Sequence, residues 1–126
     1  MMHDPRPLAG YRFLIVEDEM MLAWRIGDML IELGGTVGKI ATRDDQSWEA
    51  LGTRWDCGIV DLNLKCKPAF PLVAALERQR IPFITCSAYA DALDVYPEVA
   101  TATRVNKSAT LERLRDAVLF VLRPRF

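Results

Sequence analysis

The chain has 126 residues, of which 51% are hydrophobic and 26% charged, with a formal net charge of −1; this is the size and composition of one ordinary globular domain, too short for two. The near-neutral balance gives no support to nucleic-acid binding or to a polybasic membrane contact. No apolar run approaches the ~20 residues of a membrane span, and Met1-Met2-His3-Asp4-Pro5-Arg6-Pro7 lacks the hydrophobic segment of a signal peptide.

Residues 1–10, interrupted by Pro5, Pro7 and Gly10, read as a loose lead-in. Tyr11 to Val16 predicts a first strand, ending in Glu17-Asp18. Leu22, Ile26, Met29, Leu30 and Leu33 then recur at helical spacing, and Gly34-Gly35 stop that helix. Thr36 to Ile40 is a short second strand. Trp48, Leu51 and Trp55 predict a second helix, opened by Asp44 or Asp45. Cys57-Gly58-Ile59-Val60-Asp61 reads as a buried central strand that delivers a carboxylate to the loop beginning Leu62-Asn63-Leu64. Pro71 suits the first turn of a third helix carrying Leu72, Val73 and Leu76. Pro82 to Cys86 is a fourth strand, ending at Ser87-Ala88. A short fourth helix covers Asp91 to Val95, limited by Pro97. Ala102 to Asn106 is a fifth strand leading into Lys107. Ser108 or Thr110 can cap a last helix with Leu111, Leu114, Val118 and Val121 on one side, while Leu119 and Phe120 on the other offer a binding surface.

Strands alternating with helices imply a parallel sheet with right-handed crossovers. The expected fold class is α/β, a flavodoxin-like (βα)5 three-layer fold with strand order 2-1-3-4-5. Cys57, Cys66 and Cys86 are odd in number and have no metal-ligand spacing. Cys57 and Cys86 fall within apolar strands as small core residues, and a reducing, cytoplasmic setting fits them.

In such a sheet, ligands and chemistry collect at the C-terminal ends of the strands. That edge receives Glu17 and Asp18 after the first strand, Asp61 after the third, Ser87 after the fourth and Lys107 after the fifth. Three carboxylates facing one ammonium resist mutual ionisation. A hard divalent cation relieves this, and Mg²⁺ takes one or two carboxylates, keeps several waters and adds phosphate oxygens. Asp18 and Asp61 are the natural direct ligands, with Glu17 holding a metal-bound water. Asp61 can act as nucleophile toward a phosphoryl group, forming an acyl phosphate whose charge spreads over the cation, Lys107 and the Ser87 hydroxyl.

Phe13-Leu14-Ile15-Val16-Glu17-Asp18-Glu19, Asp61-Leu62-Asn63-Leu64, Ser87-Ala88-Tyr89 and Lys107, in this order, resemble the receiver domain of bacterial two-component response regulators. The likeness covers residues 11–122, leaving 123–126 as a short tail. It implies that Asp61 accepts a phosphoryl group from a sensor histidine kinase or histidine phosphotransfer protein. It also implies Mg²⁺ held by Asp18, Asp61 and the backbone carbonyl of Asn63, with Glu17 assisting through water. Ser87 takes the switch-hydroxyl position and Lys107 that of the phosphate-binding lysine. Asn63 and Tyr89 occupy positions where hydrolysis is tuned in such domains. Arg104 stands where receivers usually carry an aromatic switch residue, so the usual hydroxyl-to-aromatic coupling lacks its partner here. Ser108 stands where proline usually follows the lysine; a cis bond before a non-proline costs ~2.5–4 kcal/mol, so Lys107-Ser108 is expected to be trans. The run Pro82-Phe83-Ile84-Thr85-Cys86-Ser87-Ala88-Tyr89 is similar to a stand-alone receiver subfamily with a Pro-Phe-x-Phe-Ala-Thr-Gly-Tyr motif, often paired with HWE/HisKA2-type kinases.

The chain stops just after the last helix, so output is expected through a contact with a downstream protein, with a homodimer as one possibility, or through onward phosphoryl transfer. The expected function is thus a single-domain response regulator, not a multiple-turnover enzyme. Two rivals have different chemistry. An aspartate-nucleophile phosphohydrolase needs a second acid two residues after the nucleophile, where this chain has Asn63. A degenerate receiver would bind partners without phosphorylation, against which the full set of pocket residues argues.

Overall fold

A computed structural model describes residues 4–61, 63, 64, 67, 68, 70–87 and 103–123, with the backbone alone at 44, 63, 64, 67, 68, 70 and 87. Five parallel strands form one sheet: β1 (Arg12–Val16), β2 (Thr36–Ala41), β3 (Cys57–Asp61), β4 (Phe83–Ser87) and β5 (Arg104–Asn106). Their order is β2-β1-β3-β4-β5, which is the expected flavodoxin-like arrangement. Four described helices accompany it: α1 (Met20–Glu32), α2 (Asp44–Ala50), α3 (Phe70–Arg78) and α4 (Leu111–Leu122). A two-stranded antiparallel ribbon, Asn63–Leu64 against Lys67–Pro68, follows β3. The short helix expected over 91–95 lies outside the described residues.

Alternation along the strands builds two cores, one on each sheet face. Phe13 and Ile15 of β1, Cys57 and Ile59 of β3, and Ile84 and Cys86 of β4 pack with Ile26 and Leu30 of α1 and Leu114 and Val118 of α4. Leu14, Val16 and Val60 point the other way, toward Leu72 and Leu76 of α3 and Ala50 of α2. All five residues of β3 are buried, as a central strand covered on both faces requires. Its neighbours are set by register, with Val16 opposite Val60 and Asp61 opposite Cys86. The ends of β1, β3 and β4 therefore finish side by side.

The segment read as a loose lead-in is tied down at one point. Leu8 is fully buried against the α1 core, its N–H donates to the Leu33 carbonyl at 3.0 Å, and its carbonyl accepts from Tyr11 N–H at 3.2 Å. Helix α1 closes as the glycine pair predicts. Gly34 adopts φ +99°, its N–H donates to Ile31 and that of Gly35 to Leu30, so two orphan carbonyls are satisfied. A side chain at Gly34 would also meet Arg6 Cβ at 2.8 Å.

Helix α2 is shorter than its aromatic spacing predicts. It ends at Ala50, and Trp55 lies in the following loop, buried, with its indole N–H donating to the Ala50 carbonyl at 2.7 Å. Trp48 is an exposed helix residue at 41%. Asp44 opens the helix, as expected, and Arg43 before it gives no side-chain cap. The side chain of Gln46 instead reaches back to accept from Thr42 N–H at 2.8 Å. Of the two cap candidates for the last helix, Thr110 serves, its hydroxyl accepting from Arg113 N–H at 3.3 Å. No cis peptide occurs among the described residues, so Lys107-Ser108 is trans.

Candidate functional site

Glu17 follows β1 directly, and its N–H donates to the Ala41 carbonyl at 3.0 Å, which carries the β1–β2 pairing one residue further. Its side chain turns into the sheet edge and is buried. Asp61 closes β3 and is equally buried. Asp18 is half-buried beside them, and one carboxylate oxygen from each of Glu17, Asp18 and Asp61 lies within 4.8 Å of the others. Lys107, just beyond β5, reaches across the edge. Its Nζ stands 3.2 Å from Glu17 Oε1 and 3.3 Å from Asp61 Oδ2, one ammonium bridging two buried carboxylates.

The electrostatics of this cluster are unbalanced. Burial first, and then the adjoining Asp61 carboxylate, push Glu17 up to about 8 against the opposing pull of Lys107. Burial alone would lower Lys107, but the charges of Asp61 and Glu17 outweigh it and hold the ammonium above its usual range. Apart from its ion pair with Lys107, Glu17 has two buried oxygens that accept no hydrogen bond among the described residues. Buried acceptors left in this state cost free energy unless a proton or a cation satisfies them. Three converging oxygens, two from fully buried acids, fit a hard divalent cation of the Mg²⁺ type. The two core thiols, Cys86 beside the site and Cys57 at the far end of β3, do not fit a role in it. Burial, and then the carboxylates, push Cys86 up to about 12, and burial does the same for Cys57, so neither is a thiolate near neutrality.

Of the residues singled out from the sequence, the fold thus brings together Glu17, Asp18, Asp61 and Lys107. Ser87 ends β4 one residue past Cys86, the register partner of Asp61, and its side chain lies outside the described residues. Asn63 begins the ribbon two residues after Asp61, again without a described side chain. Tyr89 lies outside the described residues. Arg104 is an exposed residue of the edge strand β5, in register with Thr85.

Two residues of the site were not anticipated. Arg25 of α1 donates from Nη1 to the Lys107 carbonyl at 3.1 Å and from Nη2 to the Ala109 carbonyl at 2.7 Å. Asn106 Oδ1 accepts from both the N–H (2.9 Å) and the hydroxyl (2.8 Å) of Ser108. The Asn106-to-Ser108 turn has a local signal, since asparagine bonding the backbone two residues on is a recurrent turn device. The Arg25 contact spans more than eighty residues and has none.

No protein-family model and no curated protein sequence matches the chain. Solved structures do match. The N-terminal domain of a response regulator/sensory box/GGDEF 3-domain protein from Carboxydothermus hydrogenoformans is 26% identical with a TM-score of 0.77, over 88% of this chain and 93% of that one. The response regulator PhyR from Brucella abortus is 23% identical with a TM-score of 0.81; the match covers 94% of this chain and 49% of PhyR. The signal receiver domain of NarL from Mycobacterium tuberculosis is 17% identical with a TM-score of 0.78, over 94% of this chain and the whole (100%) of that one. The structural neighbours are receiver domains of response regulators, and their fold is the fold of this chain.

Proposed function

We propose that this chain is a phosphoacceptor receiver of a response regulator, in which Asp61 takes a phosphoryl group from a phosphohistidine donor. The observation that carries the reading is the bridge at the sheet edge. Lys107 Nζ lies between Glu17 and Asp61 within 3.3 Å of each, beside a third acid, Asp18. A purely structural ion pair needs one carboxylate; this one gathers a surplus of negative charge around a buried nucleophile.

Asp18 and Asp61 would hold Mg²⁺ directly, with the Asn63 carbonyl and a water on Glu17 completing the protein's share. When bound, the ion neutralises the phosphoryl oxygens and the surplus carboxylate charge. The chain's own residues do the rest. An Asp61 carboxylate oxygen attacks phosphorus, the P–N bond to the donor imidazole breaks, and the imidazole leaves with the bond's electron pair and takes up a proton. Lys107 exchanges its contact with Asp61 for one with a phosphoryl oxygen, and the Ser87 hydroxyl donates to another. The burial of Asp61 limits water at the acyl phosphate. The donor proposed is a sensor histidine kinase or phosphotransfer protein, of HWE/HisKA2 type on the strength of the Pro82-to-Tyr89 run. Output passes to a protein partner, and multiple turnover on external substrates is not expected.

Among the described residues, no helix is long and apolar enough to cross a membrane. Exposed Met20, Met21 and Trp24 open α1 immediately after the acidic segment, an apolar rim over which a protein donor can approach Asp61. The direct test is incubation with Mg²⁺ and acetyl phosphate, followed by intact-mass measurement. Wild type should gain one phosphoryl group and Asp61→Asn none; equal labelling of both would rule out Asp61 as the acceptor.

A further inference from the structure

We propose that Arg25 is a positioning residue for Lys107, holding the loop that carries the lysine so that Nζ meets Asp61 and Glu17. Lysine puts its charge at the end of a flexible four-carbon stem, so its reach is defined only if the backbone beneath it is fixed. Here that backbone is pinned from two sides. On one side, Asn106 Oδ1 holds the Ser108 N–H and hydroxyl, and the Asn106 carbonyl accepts from Ala109 N–H at 2.9 Å. On the other, the Arg25 guanidinium spans the Lys107 and Ala109 carbonyls with separate nitrogens, at 3.1 and 2.7 Å.

A planar fork with fixed spacing sets the separation of its two acceptors as well as their distance from α1. Both acceptors are neutral carbonyls, so what Arg25 supplies is placement. The connection also closes a ring. Helix α1 begins three residues after Glu17, Arg25 joins that helix to the Lys107 loop, and Lys107 Nζ returns to Glu17. The lysine and the acid that faces it are thereby referred to one rigid helix.

The functional consequence rests on reading Lys107 as the phosphoryl-binding lysine. Affinity for beryllofluoride, measured with saturating Mg²⁺, should fall about tenfold in Arg25→Met, while Mg²⁺ affinity alone changes less than twofold. Arg25→Lys, with one ammonium in place of a fork, should recover part of the loss. In a Lys107→Met background the same Arg25→Met change should cost nothing more, because there is no lysine left to place. An undiminished further loss in that background, or a parallel loss of Mg²⁺ affinity, would overturn the proposal.

A second measurement is independent of phosphoryl binding. Reductive methylation of Lys107, followed by peptide mass mapping, should run at least fivefold faster in Arg25→Met than in wild type; an unchanged rate overturns the placement. If wild type itself binds no beryllofluoride, the phosphoacceptor reading falls, and the methylation rates still decide the role of Arg25.

Discussion

Lys107 is one cation set against two buried acids, and the imbalance leaves a trace in how the protein responds to pH. In the metal-free pocket Glu17 titrates near 8, well above a free glutamate, because burial and the Asp61 charge disfavour its ionised form. The folded state therefore binds a proton that the unfolded chain has already released between about pH 4.5 and 8. A raised folded-state value contributes stability in full below the unfolded value and loses it as pH rises through the folded one. Denaturant unfolding of protein held in a chelator should accordingly show stability falling from pH 5 to pH 8. The fall should be distinctly shallower in Glu17→Gln. The chain contains one histidine, so few other side chains titrate in that window. An identical slope in both proteins would show that Glu17 is ionised throughout.

At the level of elements, the ends of α1 and α3 solve the same problem with different residues. Both close with the two backbone bonds of a Schellman turn. At α3, Arg80 N–H donates to Glu77 at 3.0 Å and Ile81 N–H to Leu76 at 2.9 Å. Where α1 has Gly34 in the left-handed region, α3 has Arg80 at φ +58°. A side chain there costs roughly 1–2 kcal/mol, partly returned because arginine has less freedom than glycine in the unfolded chain. Arg80→Gly should therefore stabilise the fold by about 1 kcal/mol in denaturant titration. A destabilised variant would mean that the Arg80 side chain makes compensating contacts. The α1 terminus was legible from Gly34-Gly35, whereas nothing in the residues around Arg80 signals a left-handed position. Trp55 teaches a related lesson. Its spacing from Trp48 and Leu51 is helical, but Gly52 and the chance to bury an indole against the Ala50 carbonyl end the helix first.

Across the whole molecule, the order β2-β1-β3-β4-β5 aligns the ends of β1 and β3, so acids far apart in the chain repel one another across the centre of the sheet. A cation that binds this edge in the folded state alone must stabilise the entire fold by mass action. At a concentration one hundred times its Kd the gain is about 2.7 kcal/mol, and for a domain of this size that is a rise in Tm of about 10 °C. Magnesium should produce such a shift in wild type and little in Asp18→Asn. An equal shift in both would place the bound ion elsewhere.

The sequence by itself determined the layers, the strand order and the acids and lysine of the pocket. Hydrophobic periodicity and the residues that end each strand are local properties, and a parallel sheet has few ways to arrange five such units. The tertiary structure decided what depends on distance through space. It buried Leu8 of the lead-in against α1 and laid Lys107 across Glu17 as well as Asp61. It also joined Arg25 to a loop more than eighty residues away, through backbone carbonyls that every residue carries and that therefore leave no mark on the sequence.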